Sequence, residues 1–196
     1  MLSTRQIAVV AVFSAVIVSS NFALTDLLNV KLMDTLVFVA AFVYGFRTGA
    51  LVGITSELVW GVASPYGFGA YIIPFLVLGE VLYAAAGSIA ASVWKEQVRS
   101  FSANNLAIGS IMTITAFIWD FETNIGTALI AFWPNVTLAK ILTTEFVTGG
   151  LFMVFHELSD FLLGFSIAPI MIVYLLRLRG SPVRLARKEV LAEVRN

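Results

Sequence analysis

From residue 7 to residue 176 the sequence is a succession of apolar runs, separated only by short polar or glycine-rich breaks. No break is long and polar enough to form a domain in water. The runs must therefore be buried against one another or against lipid. A helical span needs about 20 residues, which with loops leaves room for roughly six or seven. Charged residues make up 12% of the 196, against the quarter or so usual in soluble domains. These features exclude a soluble enzyme, a disordered chain and a one-span anchor with a soluble head. A formal net charge of zero likewise excludes a nucleic-acid binder, for which a basic domain is expected. With no cysteine the chain has no disulfide, no c-type haem attachment and no thiolate metal site.

Only helices and closed barrels cross a bilayer, because every backbone polar group has to be paired internally. The runs are too long and continuous for the alternating ten-residue pattern of a barrel. They predict an all-α polytopic membrane protein of six transmembrane helices, at about 7–24, 32–44, 48–63, 71–93, from 105 to between 119 and 132, and 150–176. The second and third are short and joined by Gly45-Phe46-Arg47-Thr48-Gly49, a tight hairpin with a charge at its tip. With both termini cytoplasmic, ten of the twelve Lys and Arg residues fall on one side and only Lys31 and Lys140 on the other. That is the sign required by the positive-inside rule, and an odd number of spans breaks it. The first run lacks the small-residue cleavage site of a signal peptide and is read as a helix. Residues 1–178 then form one membrane domain and 179–196 a basic cytoplasmic tail. The connection 124–145 is compatible with an extended fifth helix, an early sixth, or a broken helix at the edge of a cavity.

Small residues recur at steps of four. Gly45, Gly49, Gly53, Glu57 and Gly61 share one face of the third helix, and Ala11, Ala15 and Ser19 share one face of the first. Such stripes let two helix backbones approach closely, inside one bundle or against a separate membrane partner. The second alternative suits Ala11 and Ala15, whose surroundings carry no ligand chemistry.

Eight of the twelve acids lie in or at the edges of the spans: Asp34, Glu57, Glu80, Asp120, Glu122, Glu145, Glu157 and Asp160. An ionisable group at the bilayer centre costs at least about 2.5–3.5 kcal/mol, so it marks a functional site or a buried pair. Away from the cytoplasmic face only Lys31, Lys140 and His156 offer positive charge. Three sets stand out: Asp120 with Asn124, His156 with Glu157 and Asp160, and Glu80 with Tyr83 and Gly87. The fifth and sixth helices run antiparallel, which lets the first two sets meet in the outer half of the bilayer. Trp60, Tyr66, Tyr71 and Trp119 are either an interfacial belt or rings that stack on a flat ligand. For Asp34 and Glu57 the alternative to function is a structural hydrogen bond. No Walker A motif and no nucleophile-elbow motif is present. His156-Glu157-Leu158-Ser159-Asp160 is one residue from the H-E-x-x-H zinc helix; as a metallohydrolase it would use His156 and Asp160 as ligands, Glu157 as base, and Asp120 or Glu145 as third ligand.

The segments Gly45 to Gly53, Ser64-Pro65-Tyr66-Gly67 and Pro74 to Glu80 resemble the substrate-binding S components of energy-coupling factor (ECF) vitamin transporters. Asp120 to Asn124, and His156 to Asp160 followed by Ala168-Pro169, look like the fifth and sixth helices of some members. The resemblance covers about residues 5–178, by pattern and order. It implies a six-helix bundle in the plasma membrane of a prokaryote. A small ring-containing micronutrient would bind near the outer face, between helices four to six and the loops 25–31 and 64–70. It also implies docking through an alanine pair, here Ala11 and Ala15, to a transmembrane coupling subunit that works with two cytoplasmic ATPases.

The expected substrate contacts are Asp120, Asn124, His156 and Glu157, with Glu80 and Tyr83 behind them and Trp60, Tyr66 or Trp119 capping the ligand. No catalytic residue, cofactor, metal or nucleic acid is expected. The competing readings are a stand-alone proton- or cation-coupled carrier and the intramembrane metallohydrolase.

Overall fold

The computed structural model describes residues 2–65 and 70–179. Their regular elements are all helices, with no strand among them: α1 (Thr4–Ala23), α2 (Met33–Tyr44), α3 (Phe46–Ala63), α4 (Ile73–Trp94), α5 (Asn105–Phe132), α6 (Leu138–Thr143), a π-helical turn (Thr144–Thr148) and α7 (Gly150–Leu178). Four of them, α1, α4, α5 and α7, are long and apolar enough to cross a membrane. The segment left open by the sequence resolves into a full-length α5 followed by the short α6 and the π-helical turn. Tyr66 and the tail from residue 180 lie outside the described residues.

Local chemistry sets the helix ends. Ser3 starts α1 with a capping box: its hydroxyl accepts from the Gln6 amide at 3.2 Å, and the Gln6 side chain accepts from the Ser3 amide at 3.0 Å. The turn between α2 and α3 rests on Gly45 alone, not on a five-residue hairpin, since Phe46 to Gly49 already belong to α3. Gly45 has φ 92° and ψ 162°, a region open essentially to glycine. A Cβ there would meet nothing within 4 Å, so the cost of adding one is purely conformational. Gly45→Ala is expected to lower stability by about 1–3 kcal/mol in reversible unfolding, and an unchanged transition would refute the assignment.

At 1.5 Å per residue, α2 is about 18 Å long, well short of a bilayer core. It is nonetheless the centre of the fold. All eleven residues from Met33 to Val43 are buried, enclosed by α1, α3, α4 and α7. A helix that is apolar all round belongs in a core. The glycine stripe of α3 serves this internal packing. A Cβ on Gly49 would stand 2.4 Å from that of Ala41 on α2, and one on Gly53 would stand 2.8 Å from that of Glu80 on α4. Gly87 of α4 lies as tightly against the Phe38 carbonyl, while α5 and α7 cross where Gly109 meets Gly164.

The outward faces are apolar, with Val12, Ile89, Ile114, Val154 and Leu162 all exposed. In water such a surface would drive association; in lipid it is the expected finish. Ser3, Arg5, Tyr44, Thr48 and Arg179 line one cleft, so the two ends of the described chain lie at the same end of the bundle. There Arg179 donates to the Val43 carbonyl near the end of α2 and lies over the Tyr44 ring.

Candidate binding site

Four helices deliver polar side chains to one buried point. His156 lies six residues into α7, Glu80 seven residues into α4 and Asp34 at the start of α2; Asp120 comes from the middle of α5. Imidazole Nδ1 is 2.9 Å from Asp120 Oδ2, and Nε2 is 3.2 Å from Asp34 Oδ2. His156 is thus held between two carboxylates from different helices. The Tyr83 hydroxyl, on the same face of α4 as Glu80, donates to Asp160 Oδ2 one turn below His156. Glu80 lies within hydrogen-bonding reach of Asp34. His156, Asp34 and Asp160 are 0% exposed, so water satisfies none of them.

Trp119 seals this cluster. Its ring stands edge-on to His156 with centroids 4.7 Å apart, and its Nε1 donates to the Leu76 carbonyl at 3.2 Å. On the other side, Lys31 Nζ lies 4.9 Å from the centre of the indole, a cation–π contact. Lys31 belongs to the loop after α1. Burial opposes its charge, but the carboxylates of Asp34, Glu57, Glu80 and Asp120 more than restore it, and its pKa lies above the ordinary lysine value.

Beyond Lys31 a cavity of about 390 Å³ opens at the end of the bundle opposite the Arg5–Arg179 cleft. Its walls are the end of α1, the following loop, the end of α3 and the start of α4, with Phe152 closing from α7. Most of the lining is apolar. Its polar groups include Asn21, Asn29, Lys31 and Glu57, and Trp60 stands edge-on to Phe22 at 5.2 Å. Asn29 fastens the α1–α2 loop by donating to the Phe152 carbonyl at 3.0 Å. Both side-chain polar atoms of the buried Asn21, and Glu57 Oε2, have no hydrogen-bond partner among the described residues. Volume, apolar walls and a few convergent polar groups are the ordinary features of a small-molecule site.

No protein-family model, curated protein or solved structure matches this chain. Its function therefore has to be argued from the site alone.

Of the side chains singled out from the sequence, Asp120, His156, Glu80, Tyr83 and Trp119 come together in the polar cluster, and Trp60 lines the cavity. Asn124 turns away from the cluster toward the π-helical turn, its side chain lying against Gly149. Glu157, next to His156 but about 100° round the helix, is half-buried outside the cluster. The cavity lies between α1, α3 and α4, whereas the resemblance implied one reaching the last three helices. Ala11 and Ala15 are exposed on α1, whose buried residues are Ser14, Ile17 and Asn21. The site list drawn from the sequence lacked Asp34, Asp160, Lys31 and Glu57. Asp34 carried the clearest missed signal, being a lone acid at the head of an otherwise apolar run too short to face lipid.

Proposed function

We propose that the chain is the membrane-embedded substrate-binding subunit of an ATP-driven importer of the ECF type, capturing a small, ring-containing micronutrient at the outer face. The observation that carries this reading is the 390 Å³ cavity: it is apolar-walled, holds Trp60 for stacking, and has Lys31 and Glu57 as oppositely charged contacts. A cargo with one acceptor edge and one donor edge suits that pair. In this proposal the bundle has six spans, α2 and α3 being the short pair, and both termini are cytoplasmic. Among the described residues Arg5, Arg47, Lys95, Arg99, Arg177 and Arg179 then lie inside, and Lys31 and Lys140 outside. The exposed face of α1 carrying Ala11 and Ala15 is the proposed dock for a coupling subunit, with partner ATPases supplying the energy and the plasma membrane of a prokaryote as the setting.

The test is cargo. Full-length protein purified in mild detergent is expected to release a bound small molecule on denaturation. Trp60→Ala and Lys31→Ala should each weaken retention at least tenfold, as expected for a central aromatic anchor and a charged contact. A chain that releases nothing, and that no member of a micronutrient panel stabilises against heat, would sink the proposal. The buried acids favour a second reading, a proton- or cation-coupled carrier. Uptake by proteoliposomes lacking any ATPase would decide for it.

A further inference from the structure

The cluster behind the cavity brings together more carboxyl groups than basic ones. Five acids are buried there or on the cavity floor: Asp34, Glu57, Glu80, Asp120 and Asp160. Among the described residues the basic groups set against them are Lys31 and His156. Several oxygens of these acids, Asp34 Oδ1, Glu57 Oε2, Glu80 Oε2 and Asp160 Oδ1, meet no donor among the described residues. Asp34 and Glu80 stand carboxyl to carboxyl. Such a contact requires a proton or a cation between the partners.

We propose that Asp34, His156 and Asp160 form a binding site for one divalent transition-metal ion, with Asp120 and Tyr83 orienting the ligands. One donor atom from each of the three lies within 4.8 Å of the others. At metal–ligand lengths of 2.0–2.2 Å, donors that share an ion stand about 3–3.5 Å apart. His156 Nε2 and Asp34 Oδ2 already meet that separation at 3.2 Å, and an Asp160 oxygen would close in from no more than 4.8 Å.

The surroundings of the histidine fit the same assignment. Asp120 on Nδ1 is the outer carboxylate that metal-bound histidines commonly carry; with an ion bound it would hold the N–H there and leave Nε2 to the metal. With an ion at the site, Nε2 and Asp34 Oδ2 would both bind it. Tyr83 performs the corresponding service for Asp160 by donating to its Oδ2. One imidazole and two carboxylates, with no sulfur, suit zinc, manganese, iron or cobalt. Calcium and magnesium prefer all-oxygen shells of six or more ligands. Three protein ligands leave a coordination position open.

The site differs from the one suggested by the H-E-x-x-D pattern alone. The third ligand comes from α2, Asp120 stands behind the histidine, and Glu157 takes no part. It also stands independently of the importer reading, since neither the cavity nor its cargo enters the argument.

The test uses full-length protein in detergent, stripped with a chelator and titrated with Co²⁺. Metal content is read by mass spectrometry and coordination by the visible d–d bands. One cobalt ion per chain is expected, displaced by Zn²⁺ and not by Mg²⁺. Asp34→Asn and Asp160→Asn should each weaken binding at least tenfold, and Asp120→Asn by 10–100-fold, the usual loss for an outer partner. Glu96→Gln, exposed at the far end, serves as the control. Where an Asn variant does not fold, Asp160→Glu keeps a carboxylate, and a shifted cobalt spectrum supports the site. Wild-type uptake clearly below one ion per chain overturns the proposal. So does binding that Asp34→Asn and Asp160→Asn leave unchanged, or an Asp160→Glu spectrum identical to wild type.

Discussion

His156→Ala is expected to cost about 3–5 kcal/mol of stability, the range found when one partner of a buried ionic set is removed and the other is left behind. Asp34 and Asp120 each lose the ring nitrogen that now faces them at 3.2 and 2.9 Å. Asp34 has no water to turn to, because it and His156 are fully buried, and Asp120 keeps only 8% exposure. Reversible unfolding in mild detergent or bicelles would measure the loss. Combining His156→Ala with Asp34→Leu should recover part of it, since taking away both members of a buried polar pair is far less costly than taking away one. A coupling of about 0.5–3 kcal/mol between the two substitutions is expected, as for residues in direct contact. A single-variant loss below about 1 kcal/mol would mean that the two aspartates are satisfied by something other than the imidazole.

Gly79→Ala is the second large effect. A Cβ at Gly79 would stand 1.2 Å from Cδ1 and 1.7 Å from Nε1 of Trp119, so one methyl group cannot enter while the indole stays. The indole is not free to swing. It donates to the Leu76 carbonyl on one side and packs edge-on against His156 on another, with Lys31 over its face. Overpacking of this kind costs about 1–3 kcal/mol, occasionally more. Expelling Trp119 also uncovers the polar cluster, so a red-shifted tryptophan emission should accompany the lost stability. Gly150→Ala is the matched contrast. It sits in the first turn of α7, a Cβ there meets nothing within 4 Å, and a gain of about 0.4–1 kcal/mol is expected. Equal behaviour of the two variants would show that the close approach at Gly79 does not matter.

The helices were legible in the sequence because long apolar runs and glycine breaks survive any tertiary arrangement. The run beginning at Asn105 is an example, although it did not say where α5 ends; the break after Tyr44 was placed correctly but read as five residues where Gly45 alone makes the turn. The meeting of Asp120 with His156 followed from two antiparallel helices carrying polar residues at matching depth. The same reasoning failed for Asn124 and Glu157, because a sequence step of one or four residues does not say which side of a helix faces the bundle. Asn124 went instead to the π-helical turn, which no periodicity announces. The cavity was half legible. The loop that bears Lys31 was named, but which helices wall it depends on how α1 tilts against α3, and that is set by shape rather than by pattern. Asp34 was visible throughout and undervalued, since its weight comes from α2 being enclosed on every side.

That enclosure has a bearing on how the molecule is made. The eleven residues of α2 from Met33 to Val43 are buried among other parts of the same chain, and α7, the last of the described helices, supplies both one wall of their housing and the imidazole that meets Asp34. During biogenesis α2 must wait, its acid unanswered, until some 120 further residues have emerged. A chain stopped short of α7 would therefore present quality-control proteases with an unfinished centre rather than a frayed end, and its survival time in the cell should fall abruptly at that boundary rather than shorten by degrees.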